Sequence, residues 1–255
     1  MNNSQFKSNS HSEFKASSNS ELKASPNSDF KASSQFDFAD AVKIERLFEN
    51  IPVELANLFK GHVYPWEVLP EIGEYLLSGI SREGLTEISE GVFAAPDVKI
   101  AKSAELQGPA IILSGAEIRH GAFIRGKAFI GRDAVIGNSC EIKNSLIFDG
   151  AQVPHYNYVG DSILGTKAHM GAGSITSNLK SLGATVSVHA NREIETGLRK
   201  LGAILGDGAD VGAGCVLNPG TVIGQGSVIY PLTSVRGVVP SGVIVKRQNE
   251  FTAKI

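Results

Sequence analysis

The sequence predicts an all-β solenoid, on three observations. From Val98 onward aliphatic residues recur at every sixth position: Ile100, Leu106, Ile112, Ile118, Ile124, Ile130, Ile136, Ile142 and Phe148, then later Leu205, Val211, Leu217, Ile223, Ile229 and Val235. A period of six is neither the 3.6 of an amphipathic helix nor the 2 of a half-wet strand, and it fits a coil of three short flat faces joined by tight corners. Glycines such as Gly115, Gly121, Gly131, Gly137, Gly206, Gly212 and Gly224 recur where such corners need freedom in φ or absence of bulk. No single coil can bury its apolar side alone. Each inward aliphatic should therefore stack on one a full coil away, with successive strands ~4.7–4.9 Å apart.

The elements before the solenoid come in order. Residues 1–38 repeat every eight positions, with Phe6, Phe14, Leu22 and Phe30 each followed by a lysine among Ser and Asn. An eight-residue period spreads these apolar residues around a helix instead of gathering them on one face, so a disordered Ser-rich segment is expected. Over 39–92 the pattern turns helical: Ile44, Leu47, Phe48 and Ile51, then Leu55, Leu58 and Phe59, then Ile72, Leu76 and Leu77, punctuated by Pro52, Pro65 and Pro70. This reads as a small helical cap. The solenoid is expected over 93–245 with an inserted loop at 180–201, and a C-terminal tail over 246–255.

Composition narrows the function. The chain has 255 residues with a formal net charge of −2, and so lacks the basic surface that nucleic acid or an anionic membrane would need. Cys140 and Cys215 show neither metal-ligand nor redox spacing. No apolar run approaches the ~20 residues that span a bilayer, and the N-terminus lacks the apolar block of a secretory signal. A soluble, cytoplasmic protein is the expectation.

The six-step register breaks twice, after Phe148 where the count meets Pro154 and resumes at Leu164 and Met170, and again at the insert, which carries Val186, Val188, Arg192, Arg199 and Lys200. Departures from a repeat are where a scaffold hosts function. Near them, Arg125 and Lys143 each follow an inward residue, one coil apart, and so should stack as outward cations on one face. Like charges so placed repel unless an anion lies between them, which suits a phosphate; two solvated side chains that splay apart are the alternative. His155 sits at the first break and can take a proton at neutral pH. Acyl transfer to an amine needs such a base and a stabilised oxyanion, for which the Asn178 amide or the backbone at Gly171 to Gly173 could serve. His120, His155 and His169 form no recognisable ligand set, so no metal is expected.

The stretch from Ala116 to Asn178, above all Glu141-Ile142-Lys143, His155 to Asp161 and Gly171-Ala172-Gly173-Ser174-Ile175-Thr176-Ser177-Asn178, resembles the acetyltransferase domain of the bifunctional glucosamine-1-phosphate N-acetyltransferase and N-acetylglucosamine-1-phosphate uridylyltransferase. Archaeal-type sugar-phosphate members are the most similar. The resemblance, which runs over roughly Val98 to Pro240, implies a left-handed parallel β-helix of hexapeptide repeats. It also implies acetyl-CoA as co-substrate, a homotrimer, and a place in UDP-N-acetylglucosamine synthesis. It places the catalytic base on His155, sugar-phosphate ligands on Arg125, Lys143 and Tyr158, a positioning asparagine on Asn178, and coenzyme contacts near Ala172 and Ala213. Lys180 matches a further family lysine poorly, and His169 stands where bacterial members have Asn.

The 97 residues before Val98, where the hexad count begins, show no Gly-rich nucleotide loop, so uridylyl transfer is not expected. Two alternatives stay open: an acyltransferase acting on a nucleotide-linked amino sugar, and a non-catalytic β-helix module that partners a separate nucleotidyltransferase.

Overall fold

The computed structural model describes residues 37–247 and 250–254; the octapeptide repeat up to residue 36 lies outside them. The described chain is a β-solenoid of about nine turns with a small N-terminal helical region. Its strands run in parallel from coil to coil and form three faces. One carries Val92–Ala94, Ala110–Ile112, Ala128–Ile130 and their successors. A second carries Lys99–Ile100, Glu117–Ile118, Val135–Asn138, Gln152–His155 and His169–Met170. The third carries Glu105–Gln107, Phe123–Arg125, the start of Glu141–Ile147, the start of Tyr158–Leu164, and Ile175–Thr176.

The expected hexad residues fill the interior. Ile112, Ile118, Ile124, Ile130, Ile136 and Ile142 are at most 1% exposed and belong to one continuous core. Beyond Ile142 the structure corrects the count. Ile147, not Phe148, points inward, and Val153 and Val159 hold the inward places through Pro154 to Leu164 and Met170. The reason lies in one corner. Between Arg125 and Ala128 the chain turns through two left-handed residues, Gly126 and Lys127, whereas between Lys143 and Ser145 it turns through Asn144 alone, and Asp161 repeats that shorter turn one coil later. Each such coil is one residue shorter. The serines after these corners close them: Ser145 Oγ accepts from Ser162 N at 3.2 Å, and Ser162 Oγ accepts from Ala203 N at 3.0 Å.

The glycines serve two different needs. Gly121 has φ +68°, which an L side chain rarely adopts, whereas Gly137 is needed for space: a Cβ there would lie 1.6 Å from the Pro154 carbonyl oxygen on the next coil.

The first face is apolar on both sides, which no hexad count reveals. Ile111, Phe129, Leu146, Ile163, Ile204 and Val222 point outward yet are fully buried in a second core shared with the helical region and the insert. Phe148 belongs to that second core, its ring centroid 5.0 Å from Phe48 and 6.0 Å from Phe59. The helices are short, Phe38–Ala41, Ile44–Leu47, Ala56–Phe59 and Ile72–Ser78, with 3₁₀ turns at Val53–Leu55 and Pro65–Val68. Pro52 disfavours a helical conformation at Ile51, which separates the second helix from the 3₁₀ turn at Val53–Leu55. Leu77, expected on an apolar face, is 63% exposed.

The insert is not a bare loop. Ser187–His189 and Glu193–Glu195 pair as an antiparallel hairpin, and Val186, Val188 and Leu201 are buried in the second core. Where a tail was expected, Val243–Arg247 pairs antiparallel with Glu250–Ala253. No helix among the described residues is long and apolar enough to cross a membrane.

Candidate active site

Arg125 and Lys143 occupy the third face as the spacing predicts, side by side beyond the paired Ile124 and Ile142. Each already has a protein carboxylate. Arg125 Nη1 donates to Glu141 Oε1 at 2.6 Å, and that bond raises the guanidinium pKa further. Lys143 Nζ lies 3.8 Å from Asp161 Oδ2. The anion expected between the two cations is thus supplied in part by the chain itself.

Tyr158 pairs with Glu141 in register on the same face, and Asn178 follows at the next corner. Asn178 Nδ2 donates to Tyr158 Oη at 3.1 Å and to Asp161 Oδ2 at 2.5 Å. Both amide hydrogens are therefore engaged, which corrects the expectation that this amide donates to an oxyanion. Burial pushes the Tyr158 phenol pKa up, against the bond from Asn178. Gly160 makes room for the pair: a Cβ there would lie 2.5 Å from Tyr158 Oη and 2.9 Å from Asn178 Nδ2.

Asp161 belongs to the motif that carries the resemblance, yet the sequence alone assigns it no role. It is 5% exposed, and Asn144 Nδ2 donates to its other oxygen at 2.9 Å. Asn144, Asp161 and Asn178 stand seventeen residues apart at one corner of successive coils. That polar period was legible in the sequence and marks the row.

His155 is on the neighbouring face, exposed, at the end of Gln152–His155. Tyr156, with φ +52°, and Asn157 form the corner between it and Tyr158. Asn157, also unassigned from sequence, pins that corner: its Oδ1 accepts from His155 N at 3.0 Å, and its Nδ2 donates to Gly171 O at 2.8 Å. Among the described residues the His155 imidazole has no side-chain partner, and the residue is exposed.

Ala172 and Ala213 stack beneath His155 on the same corner line. Gly173 N donates to His155 O, Gly214 N to Ala172 O and Leu232 N to Ala213 O, at 2.9, 2.8 and 2.9 Å. This ladder also uses two of the backbone donors proposed for an oxyanion, since Gly171 N donates to Val211 O at 2.6 Å. Among the described residues the Ala172 N–H has no partner. His169 is engaged elsewhere, its Nδ1 2.8 Å from Asp210 Oδ1. Lys180 lines a cleft of about 360 Å³ beside Asn178, with Ser177, Asn218 and Arg236. Among the described residues no cluster of three or more His, Cys, Asp or Glu could hold a metal ion.

A family model described as the GMPPB C-terminal domain matches residues 106–198, just over a third of the chain. The bifunctional protein GlmU of Methanococcus maripaludis strain C5 is 41% identical over 68 residues, 27% of this chain and 16% of that protein. The bifunctional sugar-1-phosphate nucleotidylyltransferase/acetyltransferase of Sulfurisphaera tokodaii is 32% identical over 103 residues, 40% of this chain and 26% of that protein. The chain therefore spans only a minor part of these relatives' length. Among solved structures, the UDP-N-acetylglucosamine acyltransferase of Francisella novicida superposes with a TM-score of 0.41 at 14% identity, over 60% of this chain and 67% of that one. The hexad stack makes the chain a β-helix of hexapeptide repeats, and the sequence matches show that it resembles the C-terminal domain of GlmU and of the archaeal bifunctional sugar nucleotidylyltransferase/acetyltransferases.

Proposed function

We propose that this chain is a CoA-dependent N-acetyltransferase whose acceptor is an amino-sugar 1-phosphate, glucosamine 1-phosphate first. The observation that carries the proposal is the convergence of Arg125, Lys143, Tyr158 and Asn178 on one face, one corner away from the exposed His155. The cations and the Tyr158 hydroxyl hold the phosphate, and the Asn178 carbonyl oxygen orients the amine. His155 takes the proton as the nitrogen bonds to the acyl carbon, and the Ala172 N–H meets the oxyanion. As the tetrahedral species collapses, the imidazolium returns its proton to the departing sulfur. Acetyl-CoA supplies the activated acyl carbon and a thiolate leaving group. Ala172 and Ala213 fit it, because both are exposed and Gly173 and Gly214 beside them carry no side chain. A homotrimer, as in the resembled family, is part of the proposal, and sedimentation equilibrium measures it.

A second reading has one observation in its favour. Arg125 and Lys143 each face a carboxylate, as they would in a β-helix that binds no anion. Thiol release from acetyl-CoA, measured with glucosamine 1-phosphate, glucosamine and UDP-glucosamine, separates the readings. Fastest release is expected with glucosamine 1-phosphate; fastest release with UDP-glucosamine moves the acceptor to nucleotide-linked sugars, and no release with any acceptor supports the non-catalytic module.

A further inference from the structure

We infer that Asp161 is a positioning residue that fixes the hydrogen-bond polarity of the site: it forces Asn178 to present an acceptor and Tyr158 a donor to whatever binds between them. The inference about binding rests on the acceptor proposed above, but the polarity itself follows from atoms already in place. A carboxylate oxygen can only accept, so the group 2.5 Å from Asp161 Oδ2 must be the Asn178 NH₂ and not its carbonyl. The same NH₂ places its second hydrogen on Tyr158 Oη at 3.1 Å. Asn178 then has one open valence, the acceptor Oδ1. Tyr158, having accepted, has its own O–H left to give, and no described residue takes it.

The anchor is hard to reverse. Asp161 is 5% exposed and sits in the left-handed conformation, with φ +50°. Asn144 Nδ2 holds its second oxygen at 2.9 Å, and Lys143 Nζ stands 3.8 Å from the first. Flipping the Asn178 amide would set its carbonyl oxygen against a buried carboxylate, an unmade bond and a repulsion together. The row Asn144, Asp161, Asn178 thus converts one buried charge into a directional reader. The ligand it selects carries an N–H or O–H donor toward Asn178 and an oxygen acceptor or anion toward Tyr158 and Arg125. An amine and a phosphate on one small ring meet both demands.

Two measurements on the full chain test this. Hydrogen exchange of the Asn178 side-chain amide, read by ¹⁵N-edited NMR and assigned by its loss in Asn178→Ala, should be slowed ~tenfold or more relative to the exposed Gln152 amide. Calorimetry should show wild type preferring glucosamine 1-phosphate over 2-deoxyglucose 1-phosphate, which lacks the donor, by ~tenfold or more, and Asp161→Asn should shrink that preference to about twofold while CoA binding persists. An Asn178 amide that exchanges like Gln152, or a preference that survives Asp161→Asn intact, overturns the inference. A protected amide in a wild-type protein that binds neither sugar phosphate supports the polarity and overturns the proposed acceptor instead. The exchange measurement needs no Asp161 variant and so stands even if Asp161→Asn does not fold.

Discussion

Glu141 Oε1 lies 2.6 Å from Arg125 Nη1, so one of the cations proposed to hold the phosphate already holds an anion from its own face. Both side chains are substantially exposed, and such pairs are weak. A phosphate can therefore displace Glu141 at small cost. Glu141→Gln should tighten glucosamine 1-phosphate binding by less than about tenfold, whereas Arg125→Ala should weaken it; titration calorimetry reads both, and weaker binding in Glu141→Gln would show that the carboxylate orients Arg125 instead of competing for it.

Gly160→Ala separates site geometry from stability. Its Cβ would meet the side-chain ends of Tyr158 and Asn178 first. The variant should still fold, at a cost of ~1–3 kcal/mol for weakening the Asn178 bond to the buried Asp161, while sugar-phosphate affinity falls about tenfold or more for loss of the paired tips. Gly137→Ala is the contrast, because a Cβ there would run into the Pro154 carbonyl, and that variant should fail in stability before function is reached.

Phe148→Ala and Ile147→Ala should damage different bodies. Phe148 packs against Phe48 and Phe59 of the helical region, and Ile147 lies in the solenoid core. Each should cost ~2–5 kcal/mol in denaturant unfolding. Hydrogen exchange in Phe148→Ala should rise first around residues 44–59, and in Ile147→Ala along the coils.

Burial pushes both thiols, Cys140 and Cys215, above the ordinary cysteine pKa. A thiol reagent should therefore label the native chain slowly at neutral pH and both sites once it is unfolded. Unfolded thiols ionise near ~8.5 while the buried ones stay protonated, so stability is full below that value and declines as pH rises through it toward the folded pKa. Denaturant midpoints measured from neutral to alkaline pH check the trend.

The solenoid was legible because its core demand is periodic: every sixth residue must be aliphatic, and Ile112 to Ile142 meet that without a gap. The same period hid two things. The outward apolar residues Ile111, Phe129, Leu146 and Ile163 recur once per coil, so a six-step count passes over the face where the helices dock. The count also assumes equal coils, and the single left-handed residues Asn144 and Asp161 shorten two of them, which is why a six-step count puts Phe148 inward when Ile147 holds that place. Of the site, the side of the solenoid on which Arg125 and Lys143 stand follows from spacing alone. Their pairing with Glu141 and Asp161, and the direction of the Asn178 amide, depend on corner geometry that composition does not carry.

In the proposed reaction His155, one corner away from the cation face, moves the proton during acyl transfer. Steady-state thiol release from acetyl-CoA with glucosamine 1-phosphate, compared between wild type and His155→Ala, tests that role most directly. The predicted result is a fall in kcat of ~10²–10⁴ with coenzyme binding retained; equal turnover in the two proteins would contradict it.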